Sequence, residues 1–235
     1  MEEQSMWKEL LNRAGWLLVF LLATILYQIP LAVTAILALH EVPLLQSGLI
    51  VAGISIVVLG LFIIGARKTQ IASFNFSFFR AKDLARLALS YLVILAFNIL
   101  GVVLLRLMNE TTTSNQSNIN DLVQNSSLIS SFFLLVLIAP ICEEILCRGV
   151  IPKKLFRGKE NVGYIVGAII FALLHLPTNL PSLLIYGGMS TVLTWTAYKT
   201  QRLEMSILLH MIVNGVVFCL LTLVVILSRT LGISV

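Results

Sequence analysis

Charge is what this chain lacks most. Lysine, arginine, aspartate and glutamate make up 11% of its 235 residues, less than half of the roughly 25% usual in a soluble domain. Hydrophobic residues fill 58% instead, in recurring apolar runs of about twenty residues, the length that crosses a bilayer core. That balance excludes an ordinary soluble globule. Also missing are the alternating apolar and polar ten-residue segments of a membrane β-barrel. The expected fold class is all-α, a polytopic helical membrane protein surrounded by membrane lipid. A net charge of +5 then calls for no nucleic-acid partner.

Other absences narrow the chemistry. The three cysteines, Cys142, Cys147 and Cys219, all lie in apolar runs, which suggests neither a disulfide framework nor a CxxC metal site. No HExxH helix is present, the pattern in which two histidines hold zinc. No internal repeat of the kind common in transporters stands out. Lysine and arginine are missing from the polar stretch 109–127.

What is present is a series of seven apolar runs. The first reaches about residue 39, too long for a signal-peptide core, and is expected to stay as a span kinked at Pro30. The others cover about 47–66, 84–108, from 128 onward, 162–176, 183–198 and 205–228. About seven transmembrane helices are therefore expected. With the N-terminus cytoplasmic, fourteen of the sixteen lysines and arginines fall on or nearest the cytoplasmic side, only Arg106 and Arg229 lying opposite. The positive-inside rule selects that orientation. The connector after the second run carries Arg67, Lys68, Phe74, Phe76, Phe78, Phe79, Arg80, Lys82 and Arg86, and reads as a segment at the cytoplasmic interface.

Polar residues inside such runs each need a reason, because charge at that depth costs several kcal/mol. Glu143, Glu144 and Arg148 sit within the fourth run. Glu144 and Arg148 are four apart and share a helix face, whereas Glu143 points about 100° away and is left unpartnered. The trio reads either as a charge lock between helices or as a site whose free carboxylate takes and gives protons. His175 ends the fifth run, as a helix terminus or as a catalytic group. Lys159, mid-turn, lies sixteen residues after Glu143 and sixteen before His175. An antiparallel hairpin would put both about 24 Å from the turn, with Pro152 expected to kink the fourth helix. His210 and Asn214, again four apart, share a face of the seventh run. There they would bond between helices or hold a metal, a water or an oxyanion.

Taken in order, Glu143-Glu144-x-x-x-Arg148, Phe171-x-x-x-His175 and His210-x-x-x-Asn214 resemble the CPBP family. It contains the type II CAAX prenyl proteases and bacterial Abi, bacteriocin-immunity-associated proteins. The resemblance spans about residues 128–215 and implies an intramembrane endopeptidase acting on peptide or membrane-protein substrates. On that analogy Glu143 activates a water that His175 helps position or deprotonate. His210 and Asn214 stabilise the oxyanion or help bind a metal, while Glu144 and Arg148 set the local field and the packing. Were a metal held, zinc in a shell of Glu143, His175 and His210 would be the candidate. The missing HExxH and the rarity of asparagine as a zinc ligand favour a metal-independent, glutamate-activated water. The whole chain, 1–235, is expected to form one membrane domain, with 1–108 as accessory spans and 128–215 as catalytic core. The implied location is the bacterial plasma membrane. The alternative is a non-catalytic bacteriocin self-immunity or sensor-kinase-regulating protein of the same family.

Overall fold

The computed structural model describes residues 2–232 apart from Phe76 and Phe78, with side chains from Met6 onward. Those two phenylalanines of the expected interfacial segment thus lie outside the described residues. Eight helices follow one another: α1 Glu2–Leu39, α2 Leu44–Lys68, α3 Ala81–Leu107, α4 Ser114–Asn125, α5 Leu128–Leu155, α6 Glu160–Leu174, α7 Leu180–Thr200 and α8 Leu203–Leu231. Among the described residues there is no strand. The chain is an all-α, multi-pass membrane protein.

Five of these helices, α1, α2, α3, α5 and α8, are long and apolar enough to span a bilayer by length and composition, and with α6 and α7 between them the expected count of about seven is approximate. The sixth expected span, now α7, is set apart by its hydroxyls: Ser182, Ser190 and Thr196 are buried along it. They are bonded inside the protein, while Leu183 and Trp195 on the same helix are exposed. The fifth, α6, is apolar but has only 15 residues, about 22 Å at 1.5 Å per residue, short of the ~30 Å hydrocarbon core.

α5 is the axis of the bundle, with 50% of its most apolar window buried against 17% for α1 and α3. Its Ile138, Cys142, Ile145, Leu146 and Val150 pack with Tyr27 of α1, with Val58, Leu59 and Phe62 of α2, and with Leu203 and Ile207 of α8. Its Cys147 joins the second core, built from Leu87 and Ile94 of α3, Phe171 of α6, Leu193 of α7 and Leu209 of α8. The N-terminal spans thus share a core with the later ones. α3 and α7 meet through reciprocal glycines: Gly188 receives the Phe97 ring and Gly101 receives Ile185.

α1 and α5 both run through their prolines. Pro30 interrupts one ladder bond, and Thr34 Oγ1 turns back to donate to the Pro30 carbonyl at 2.9 Å. α5 absorbs Pro140 and Pro152 differently. Its hydrogen-bond ladder widens to i→i+5 over Phe133–Ile138 and again over Ile145–Leu155, a form of helix that recurs at functional sites. No break separates Gly149 from Lys153.

The cationic loops gather at one end. Lys153 and Lys154 donate to the carbonyls of Ile71 and Thr69, both at 2.7 Å. Glu204 Oε1 accepts from the Ser73 and Phe74 amides at 2.9 and 2.7 Å. The start of the connector expected to lie at an interface is therefore pinned to α5 and α8, with Ile71 and Ala72 buried.

Candidate active site

Glu144 and Arg148 meet as their spacing implies, Nη1 to Oε1 at 2.9 Å, with both side chains fully buried. The pair is the centre of a larger network. His210 donates from Nδ1 to Glu144 Oε1 at 3.1 Å, and Ser206 Oγ donates to Oε2. Arg148 donates from Nη2 to the Ser190 carbonyl and hydroxyl at 2.9 and 2.7 Å, and from Nε to Thr194 Oγ1 at 3.1 Å. Ser190 in turn donates to the Ala168 carbonyl at 2.8 Å. The guanidinium lies 4.2 Å over the Phe171 ring. Both charges are hydrogen-bonded on several sides, the condition for holding an ion pair in a low dielectric. One network thus ties α5 to α6, α7 and α8.

Glu143 faces the other way. Its Oε2 is buried and finds no hydrogen-bond partner among the described residues. The side chain lines a cavity of about 480 Å³. Tyr27 and Gln28 of α1, Asn115 and Asn118 of α4, His175 and Asn214 share that wall. The unpartnered carboxylate and the imidazole read from the hairpin register are therefore on one cavity, although they come from different helices.

His175 ends α6, and Leu176 beyond it turns into the left-handed region with φ 49°, a common way to stop a helix. Nδ1 lies 2.8 Å from the Phe171 carbonyl. A carbonyl only accepts, so Nδ1 carries the proton and Nε2 keeps its lone pair. The ring is held between Phe171, 4.5 Å away, and Tyr186, stacked at 4.7 Å. Tyr186 is fixed by Thr113 Oγ1 at 2.6 Å and by Asn115 Nδ2 at 3.3 Å. The rotamer of His175 is thus set from three helices and a loop.

Asn214 is placed by a proline. In the widened ladder the Ala139 amide bonds back to the Leu134 carbonyl, so the next bond would run from residue 140 to Leu135. Pro140 has no N–H to give. Asn214 Nδ2 supplies the missing donor, 3.0 Å from the Leu135 carbonyl. Pro152 leaves the Cys147 carbonyl without a donor in the same register. There Gly167 of α6 approaches so closely that a Cβ would collide with that oxygen, and only a Cα–H contact fits.

The six sequence-predicted residues thus divide into two groups. Glu143, His175 and Asn214 line the cavity, whereas Glu144, Arg148 and His210 form the buried network. Among the described residues no three His, Cys, Asp or Glu side chains come together as a metal site. His210 bonds Glu144 through Nδ1, which leaves Nε2 its lone pair, and it is not on the cavity wall. Glu143, His175 and His210 do not come together as one such group in this structure. Sequence reasoning missed Ser206, Ser190, Thr194 and Tyr186. Ser206 had a signal, since residues 206, 210 and 214 recur every four positions along one face of α8.

Residues 125–216, which contain all six, match the family described as type II CAAX prenyl endopeptidase Rce1-like. The UPF0177 protein YvdC of Lactococcus lactis subsp. lactis (strain IL1403) is 28% identical over 214 residues, 89% of this chain and 78% of that protein. Its UPF0177 protein YaiH is 36% identical over 84 residues, covering 36% of this chain and 34% of that one. The membrane-embedded CAAX protease MroQ of Staphylococcus aureus (strain USA300) is 34% identical over 92 residues, 36% of each chain. No solved structure matches. The resemblance carried by the three motifs is thus borne out over the segment that holds them, and it supports a hydrolase of the protease type.

Proposed function

We propose that this chain, Rce1-like over residues 125–216, is an intramembrane endopeptidase that hydrolyses peptide bonds with a water activated by Glu143. The observation that carries the reading is the partnerless Glu143 oxygen on the wall of a cavity shared with His175 and Asn214. The Glu143 carboxylate takes a proton from water as its oxygen bonds to the peptide carbonyl carbon. The carbonyl oxygen becomes an oxyanion, and Asn214 holds one amide N–H beyond the one given to Leu135 that can donate to it. Nε2 of His175 accepts from the same water and orients it. The tetrahedral carbon collapses, the C–N bond breaks, and the proton held by Glu143 passes to the departing nitrogen. Glu144, Arg148 and His210 touch no substrate in this scheme. They fix the helix that carries Glu143 and are positioning residues. No step runs through a metal.

The substrates are peptides or membrane-protein segments, and the site is placed in a bacterial plasma membrane with the cationic end inward. The test is cleavage of a proteome-derived peptide library by purified protein in detergent, read by mass spectrometry. Cleavage by the wild type that Glu143→Gln removes supports the reading. Equal product from both refutes Glu143 as the base, and none from either favours the non-catalytic immunity or regulatory alternative.

A further inference from the structure

The cavity that holds Glu143 continues beyond its own walls. Gln28 and Leu31 of α1 and Leu122 of α4 line it, and the same three side chains line a groove of about 440 Å³. The α1 wall of the groove adds Ala32, Ala35 and Ala38, which fall on one helix face with Gln28 and Leu31. α4 faces them with Asp121, Leu122 and Asn125. The two helices do not close on each other. α4 contributes to neither hydrophobic core among the described residues, and Arg229 of α8 holds it by donating to the Gln124 carbonyl at 3.2 Å. At the start of α1, Arg13 donates to the Arg157 carbonyl at 3.2 Å, among the cationic loops. Ala38 is near the other end of α1, so the groove runs from the cavity towards the face opposite those loops.

Two features say what fills it. The groove meets a cavity in which Glu143 Oε2 is buried without a hydrogen-bond partner among the described residues. It also carries polar side chains where lipid needs none, for Gln28, Asp121 and Asn125 are exposed along it. A lipid chain has nothing to give them. An extended peptide does, because its amides and carbonyls have no partners of their own in a bilayer. The alanines of α1 leave room for its side chains.

From Gln28 to Ala38 the α1 wall runs about 15 Å at 1.5 Å per residue, the span of about four or five residues of extended chain at ~3.3 Å each. We propose that this groove holds an extended polypeptide segment of the substrate, leading into the cavity where the bond is cut. The proposal rests on the hydrolase reading. The α1 wall lies outside the Rce1-like segment 125–216, so the groove brings into the site a part of the chain that the three motifs do not reach.

The test lengthens a peptide that the purified protein cuts, one residue at a time on each side of the cut, and measures kcat/KM in detergent. On one side the wild-type value rises by about tenfold or more, as a few added hydrogen bonds support, and levels off after about five residues. Ala35 is exposed, so Ala35→Trp fills the groove without crowding a core. That variant loses the gain with length and still cuts the shortest peptide as the wild type does. Asn125→Trp, from the opposite wall, does the same and decides alone should Ala35→Trp fold too poorly to assay. Ile36 is 53% exposed and does not line the groove, so Ile36→Trp keeps the gain. The readout is a ratio between long and short peptides, which a loss of folded protein does not imitate. No gain with length, the result expected of a groove filled by lipid, overturns the proposal and leaves the Glu143 hydrolase standing. So does a gain that both groove substitutions leave untouched. No Glu143-dependent cleavage at any length overturns both.

Discussion

Arg148→Met is the most telling single substitution, because it separates fold from chemistry. Methionine keeps much of the length and apolar bulk but removes donors to Glu144, Ser190 and Thr194. Glu144 is then a fully buried carboxylate with only His210 and Ser206 left to it. Stripping one partner from a buried ion pair costs about 3–5 kcal/mol. At roughly 2–4 °C per kcal/mol for a chain of this size, the melting temperature falls by about 6–20 °C. The protein carries its own reporter, since Cys142 and Cys147 are buried while Cys219 is exposed. With Cys219 replaced by alanine, a thiol-reactive dye reports unfolding as the two inner thiols appear. Glu144→Gln combined with Arg148→Met removes both charges, keeps an acceptor for Ser206, and recovers most of the loss. Glu143→Gln behaves oppositely. It breaks no hydrogen bond, so melting stays within about 1 kcal/mol of wild type, while cleavage falls by about 10²–10⁴. An Arg148→Met protein melting within about 2 °C of the parent, or a double variant no more stable than the single one, would refute the assignment of Arg148 as the structural centre.

Asn214→Leu orphans the Leu135 carbonyl and lowers stability by about 1–3 kcal/mol. Adding Pro140→Ala, which returns a backbone N–H to that oxygen, recovers much of it, as thermal unfolding of the pair measures. Gly167→Ala drives a methyl into the Cys147 carbonyl and costs about 1–3 kcal/mol, seen by the same dye as earlier exposure of Cys147. Tyr186→Phe keeps the stack on His175 but loses the bonds to Thr113 and Asn115. Cleavage by this variant drops less than for Tyr186→Leu, which loses the stack as well. A zinc chelator leaves peptide cleavage unchanged, and inhibition reversed by added zinc would refute the metal-free scheme.

How much of this was readable from sequence depended on whether the relation was local. The Glu144–Arg148 pair follows from helical period alone, and so does the odd position of Glu143. The hairpin register put His175 on the same cavity as Glu143 because it needs only a turn and a rise per residue. The partner of His210 was out of reach, since no period connects α5 to α8. The hydroxyls were harder still. Ser190 and Thr194 reach Arg148, yet Thr191 and Thr196 on the same helix bond back to the Gly187 and Val192 carbonyls at 2.7 and 2.9 Å. Composition alone does not tell these apart.

The proline in α5 also sets an order of events during synthesis. A membrane helix normally satisfies its own backbone before any neighbour arrives, because lipid offers no donors. α5 does not: the Leu135 carbonyl waits for Asn214, 79 residues later. At ~5–20 residues per second that interval is about 4–16 s. Glu144 meets Arg148 within its own helix at once, but its bond to His210 also waits for α8. For those seconds the nascent protein carries an incomplete helix beside Glu143. The arrival of α8 completes the backbone of α5 and the hydrogen bonds around Glu144 together.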